Sequence, residues 1–80
     1  MEYSLIKHIT TLSSHRDIDG EKWTNELNIV SWNHTPPVFD IREWNGRHSK
    51  CHVGIKLDAD ELDRLVEGYA IFKGEERSQR

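Results

Sequence analysis

The chain holds a single cysteine, Cys51, so no disulfide can form within it. One thiol in 80 residues fits a reducing setting. Proline occurs only as the pair Pro36-Pro37, so there is one hard break in the chain. No run approaches the roughly 20 apolar residues of a membrane span. Met1 to Ser14 has neither the basic start nor the long apolar centre of a signal peptide. No glycine-rich phosphate loop or dinucleotide fingerprint is present. These absences point to a soluble cytoplasmic protein with no membrane partner. Eighty residues make one domain with a modest core. Without a disulfide to brace it, oligomerisation is the expected aid, and a homodimer is its simplest form.

The net charge is −3, which by itself argues mildly against a nucleic-acid partner. Its distribution says otherwise. From Ile41 to Lys56, Arg42, Arg47, Lys50 and Lys56 face Glu43 alone. From Leu57 to Glu67, five carboxylates (Asp58, Asp60, Glu61, Asp63 and Glu67) face Arg64 alone. Segregated charge creates a local field that the sum conceals.

Periodicity divides the chain into four strands and a helix. Leu5 to Ser14 is rich in β-branched and apolar residues and reads as a strand. Trp23 to Asn33 alternates, with Thr24, Glu26, Asn28, Val30 and Trp32 on one side. Val38 to Trp44 follows the prolines, with Phe39 and Ile41 opposite Asp40, Arg42 and Trp44. Asn45-Gly46 signals a turn, in a loop that runs on to Ser49. Cys51 to Leu57 is the fourth strand, with Cys51, Val53, Ile55 and Leu57 on one side and His52, Gly54 and Lys56 on the other. Asp58 and Glu61 fit a capping box. Leu62, Leu65, Val66 and Tyr69 then recur at helical spacing, extended by Phe72. These four are the expected core or dimer face of a helix of about four turns. Lys73 to Arg80 has no apolar face and reads as a disordered tail after a single domain spanning residues 1–72.

The expected fold is therefore α+β: a four-stranded antiparallel sheet in β-β-β-β-α order with one C-terminal helix. Leu27, Ile29, Phe39, Ile41, Val53, Ile55 and Leu57 form a side for the helix to cover. The opposite side collects Trp32, Arg42, Trp44, His52 and Lys56. Aromatics interleaved with cations suit single-stranded nucleic acid, whose bases stack on indoles while cations follow the phosphates. Tryptophan and arginine are also enriched at protein interfaces, and alternation alone does not separate the two readings.

The run "SWN", the prolines, "FDIREW" and "SK…GIKL" before an acidic helix start resemble the bacterial YdbC-type proteins. These belong to the superfamily of the C-terminal domain of the transcriptional coactivator Positive Cofactor Four. The resemblance covers about Trp23 to Tyr69. It implies a curved sheet, a homodimer with the helices at its interface, and binding of single-stranded DNA with little sequence preference. On this likeness Trp32 and Trp44 stack on bases. Arg42, Lys50 and Lys56 contact phosphates, with Arg47 and His52 as weaker members. Val53 stands where the family tends to lysine, and His52 where a cation often stands. The implied role is a transcription, replication or repair accessory factor in the bacterial cytosol or nucleoid, with transcription or replication proteins as further partners. RNA is not distinguished from DNA by the sequence. The alternative is a small dimeric interaction module or transcriptional regulator that does not touch DNA.

Enzymatic chemistry is not expected. His48, Cys51 and His52 are the densest group of possible metal ligands, but zinc sites take four at recognisable spacings. No third group is positioned to orient a Cys/His pair. Neither metal nor cofactor is expected.

Overall fold

The computed structural model describes residues 2–78. Its elements are β1 (Tyr3–Arg16), β2 (Lys22–Trp32), β3 (Val38–Asn45), β4 (Ile55–Leu57) and α1 (Ala59–Ser78). The strands form one antiparallel sheet in sequential order, β1-β2-β3-β4. The α+β arrangement of four strands and a C-terminal helix is thus as expected.

The register fixes the two faces. Glu26 lies opposite Arg42, Asn28 opposite Asp40, and Val30 opposite Val38. These residues share a face with Trp32 and Trp44, called here the Trp32/Trp44 face. Leu27 pairs with Ile41 and Ile29 with Phe39 on the other face. Ile55 and Leu57 join them through β4. The ladder between β1 and β2 slips at three places, Leu5/Lys7, His8/Thr10 and Thr11/Ser13. Each slip bends the strand and increases its twist.

The core lies on the Trp32/Trp44 face. Val30, Trp32 and Trp44 are buried together, with Tyr3, Val38 and Cys51 packed against them. The helix does not cover the opposite face. It meets only β3 and β4, near its own beginning. Leu62 is half-buried, but Leu65, Val66 and Tyr69 stay 55–61% exposed, and Ile71 and Phe72 are similarly open. The stripe is real, yet within one chain it is surface and not core.

Local signals explain the helix start. Asp58 Oδ1 accepts from the Glu61 amide at 2.8 Å, and Glu61 Oε1 accepts from the Asp58 amide at 2.8 Å. This reciprocal cap satisfies two donors that the helix cannot. The helix end differs from expectation. Lys73 to Ser78 continues α1 and is not a disordered tail, because glutamate, lysine and arginine are good helix formers even without an apolar face. Residues 79–80 of the expected tail lie outside the described residues.

The fourth strand is shorter than the period suggests. Only Ile55–Leu57 is strand, and Cys51 makes an isolated bridge to Trp44. The pairing skips a residue between these points. Cys51 therefore packs on the Trp32/Trp44 side, against the expectation that it would join Val53 and Ile55. Val53 is almost fully exposed.

As expected, the loop that begins at Asn45-Gly46 runs on to Ser49. Asn45 is buried, and its Oδ1 accepts from the amides of Ser49 and Lys50 at 2.9 Å each. The left-handed position falls on His48 (φ 55°), not on Gly46.

Candidate nucleic-acid face and a carboxylate cleft

Trp32 and Trp44 lie nearly parallel, 12° apart with ring centroids at 6.0 Å. The Arg42 guanidinium sits 4.3 Å from the Trp32 ring centre and the Lys56 ammonium 5.4 Å. Four of the seven expected ligand residues therefore meet in one cluster. Each cation over an indole contributes about 0.5–2 kcal/mol, more as water is excluded.

Burial corrects several roles. Trp44 has no exposed surface and Trp32 only 4%. Trp44 is enclosed by Tyr3, Trp32, Cys51 and His48, so it is a core residue and not an open stacking platform. Neither indole N–H has an acceptor among the described residues. Arg42 is not a free phosphate ligand either. Its Nε and Nη2 donate to the two Asp40 oxygens at 2.7 Å each, and Asp40 is fully buried. Burial opposes the Arg42 charge, but the Asp40 hydrogen bonds and charge more than offset it and raise the arginine pKa.

His52 is on the wrong face for the role expected of it. It stacks on Trp23 with centroids 4.0 Å apart, and its Nδ1 lies 3.1 Å from Glu43 Oε1. Trp23 and Glu43 belong to the Leu27/Ile41 face, because the interrupted pairing before β4 turns His52 over. Lys56 is exposed beside the tryptophans. Arg47 and Lys50 are exposed in the loop after β3.

The same face holds a second feature that the sequence reading passed over. Glu26 is 4% exposed and accepts from three sides. Thr24 Oγ1 donates to Oε2, and Asn28 Nδ2 donates to Oε1 at 3.1 Å. His48 Nε2 lies between the two oxygens, at 3.0 and 3.1 Å. His8 Nδ1 reaches Asn28 Oδ1 at 2.7 Å and Glu26 Oε1 at 3.4 Å. Alternation placed Glu26 and Asn28 beside Trp32. Two polar residues on the tryptophan side of a strand were the available signal. Among the described residues no group of three or more His, Cys, Asp or Glu is arranged to hold a metal ion.

Burial by itself would raise the Glu26 pKa, but the hydrogen bonds from Thr24, His48 and Asn28 outweigh it and hold the carboxyl below its ordinary value. A folded value below the unfolded one stabilises the fold above the unfolded pKa, and that gain is lost as pH falls through the folded value. Glu26→Gln should therefore be much less stable than the parent near neutral pH. The gap should narrow between about pH 7 and about pH 3, as the parent's glutamate protonates. Urea midpoints of both proteins at the two pH values check this, and a gap independent of pH would contradict it.

Among the described residues no helix is long and apolar enough to cross a membrane. No family model matches the chain. A protein of Treponema pallidum (strain Nichols), described as an uncharacterized protein, is 35% identical to it over 63 residues. The aligned part covers 79% of this chain and 69% of the treponemal protein. The chain belongs to the same family as that treponemal protein.

Proposed function

We propose that the protein is a homodimeric, sequence-tolerant single-stranded-DNA-binding protein, serving transcription, replication or repair in the bacterial cytosol or nucleoid. The observation that carries this reading is the Trp32 ring with a guanidinium at 4.3 Å and an exposed ammonium at 5.4 Å. A phosphate pairs with the exposed Lys56, and a base reaches the Trp32 ring, which is 4% exposed, by displacing the Arg42 guanidinium that now lies on it. Two buried indole N–H groups without acceptors among the described residues add to the case. An unmade hydrogen bond costs about 1–3 kcal/mol, and a base or phosphate oxygen that opens the cluster would recover it. Arg47 and Lys50 extend the basic character beyond Lys56. The resemblance to the YdbC-type proteins supports the same reading. The exposed stripe of Leu65, Val66, Tyr69 and Phe72 supports the dimer, since apolar patches of this kind mark interfaces.

The test is quenching of tryptophan fluorescence by oligo-dT at two salt concentrations. Binding should weaken with salt at a slope near 0.7 per phosphate neutralised. Trp32→Ala empties part of the buried core, so its effect on binding is read only where circular dichroism shows the variant folded. Lys56→Ala should lower the salt slope by about one contact. Arg42→Ala is a poor probe, because it strands Asp40. Folded protein that shows no quenching at low salt would overturn the proposal.

A second reading rests on the helix. Its exposed apolar residues also fit an interaction module that binds a protein partner and no DNA. That reading predicts a dimer with no response to any oligonucleotide.

A further inference from the structure

Glu26 forms the floor of a cleft of about 320 Å³ lined also by Leu5, His8, Thr11, Asn28 and His48. The cleft opens on the Trp32/Trp44 face, since Glu26 lies opposite Arg42 and the His48 ring packs 5.7 Å from Trp44. An ionised carboxylate is a poor neighbour for phosphate. It is a good neighbour for the N–H edge of a base.

The position of His48 indicates which edge. Thr24 and Asn28 take one lone pair on each carboxylate oxygen. The side of the carboxylate that His48 occupies reaches both oxygens and forms a bidentate seat, with His8 Nδ1 a further neighbour of Oε1 at 3.4 Å. One N–H, that of His48 Nε2, is shared across it at 3.0 and 3.1 Å. A shared N–H is aligned with neither oxygen, and hydrogen bonds weaken as alignment is lost. A planar group with two parallel N–H donors would give each oxygen its own bond, the arrangement that makes bidentate pairs strong and specific. His48 is about one-third exposed and sits in a loop, so it can yield the seat.

Resting on the single-stranded nucleic-acid reading above, we propose that the Glu26 cleft is a guanine-selective subsite. Guanine offers N1–H and an N2 amino hydrogen side by side. Adenine and cytosine offer one amino group beside a ring acceptor, and thymine flanks its single N–H with two carbonyls that would face the carboxylate. An arginine side chain has the same fork of donors, but the exposed Lys56 on this face favours a nucleic-acid strand over a cationic peptide. Leu5 supplies an apolar wall for the base. Binding elsewhere on the face remains tolerant of sequence, and one position along the strand prefers guanine.

The test compares three oligonucleotides of equal length at fixed salt: oligo-dT, the same strand with one central dG, and the same strand with one central deoxyinosine, which lacks the 2-amino group. The dG strand should bind about tenfold more tightly than oligo-dT, the low end of what a bidentate base contact discriminates. The inosine strand should stay near oligo-dT, and Glu26→Gln should erase the dG advantage. If that variant does not fold, His48→Gly, which suits the left-handed backbone at this position, should vacate the seat and enlarge the advantage. Binding of oligo-dT with equal affinity for the dG strand would overturn the subsite and leave the nucleic-acid reading standing. Failure of all three strands to bind would overturn both. Displacement of His48 and His8 resonances by a short arginyl peptide, with none by the dG strand, would assign the cleft to arginine and overturn the guanine assignment.

Discussion

Asp40→Ala should lower stability by about 3–5 kcal/mol, the cost of leaving one member of a buried ion pair alone. Asp40 has no exposed surface, and the Arg42 side chain has 9%. The guanidinium is held on the Trp32 ring by its two bonds to this carboxylate. With the carboxylate gone, the polar contacts left to Arg42 are a 3.4 Å approach of Nη1 to the His52 carbonyl and the Cys51 thiol. The cation must then stay buried and nearly unpaired, or swing out and open the tryptophan cluster. Either outcome uses a large share of the 5–15 kcal/mol that a domain typically has. Replacing both partners, as in Asp40→Leu with Arg42→Met, should recover most of the loss, because the pair's own desolvation cost disappears with it. Urea denaturation of the single and double variants measures both effects. A single-variant loss below about 1 kcal/mol, the scale of a surface pair, would show that the guanidinium is not confined as described.

Gly54→Ala should be the other severe substitution, through crowding instead of charge. A Cβ on Gly54 would lie 2.2 Å from the Ile41 carbonyl oxygen and 2.3 Å from Arg42 Cβ. Backbone oxygen and Cβ cannot rotate away as a side-chain tip can. The segment before β4 would have to lift off β3, and β4 is only three residues long. Its pairs, Phe39 with Leu57, Asp40 with Lys56 and Ile41 with Ile55, would be lost together, and with them the attachment of α1. The cost should reach or exceed the usual 1–3 kcal/mol of overpacking. Amide exchange at Ile55 and Leu57 should accelerate while β2 stays protected. Gly46→Ala is the control, since a Cβ there meets nothing within 4 Å. Equal effects from the two substitutions would contradict the close approach.

The strands that alternate without interruption were legible in the sequence. Alternation put Trp32, Arg42 and Trp44 on one face and Phe39 and Ile41 on the other, and the register agrees. The capping box at Asp58 and Glu61 was equally readable, because it depends on neighbours only three residues apart. The segment from Cys51 to Gly54 was not readable. A period of two holds only while pairing is continuous, and the tight crossing at Gly54 interrupts it, so Cys51 and His52 change faces. The helix illustrates another limit. Spacing says that Leu65, Val66 and Tyr69 share a side, but not what meets that side. Burial of the tryptophans was also hidden. Nothing local in β2 or β3 says that Tyr3, 29 residues before Trp32, will lie against both rings. Glu26 was placed correctly and then overlooked, because its partners His8 and His48 arrive from distant parts of the chain.

The three slips in β1 bear on how copies of the chain can meet. An outer strand of 14 residues would, if regular, offer its free amides and carbonyls to any passing strand. The hydrogen-bonding repeat along β1 is broken every few residues, so an incoming strand would fall out of step almost at once. Growth of the sheet by adding chains at this border is thereby discouraged, even though Leu5, Ile6, Ile9 and Leu12 are partly open to water. If two copies pair through the helix, as proposed above, that contact is closed: it ends at two and does not propagate into fibres.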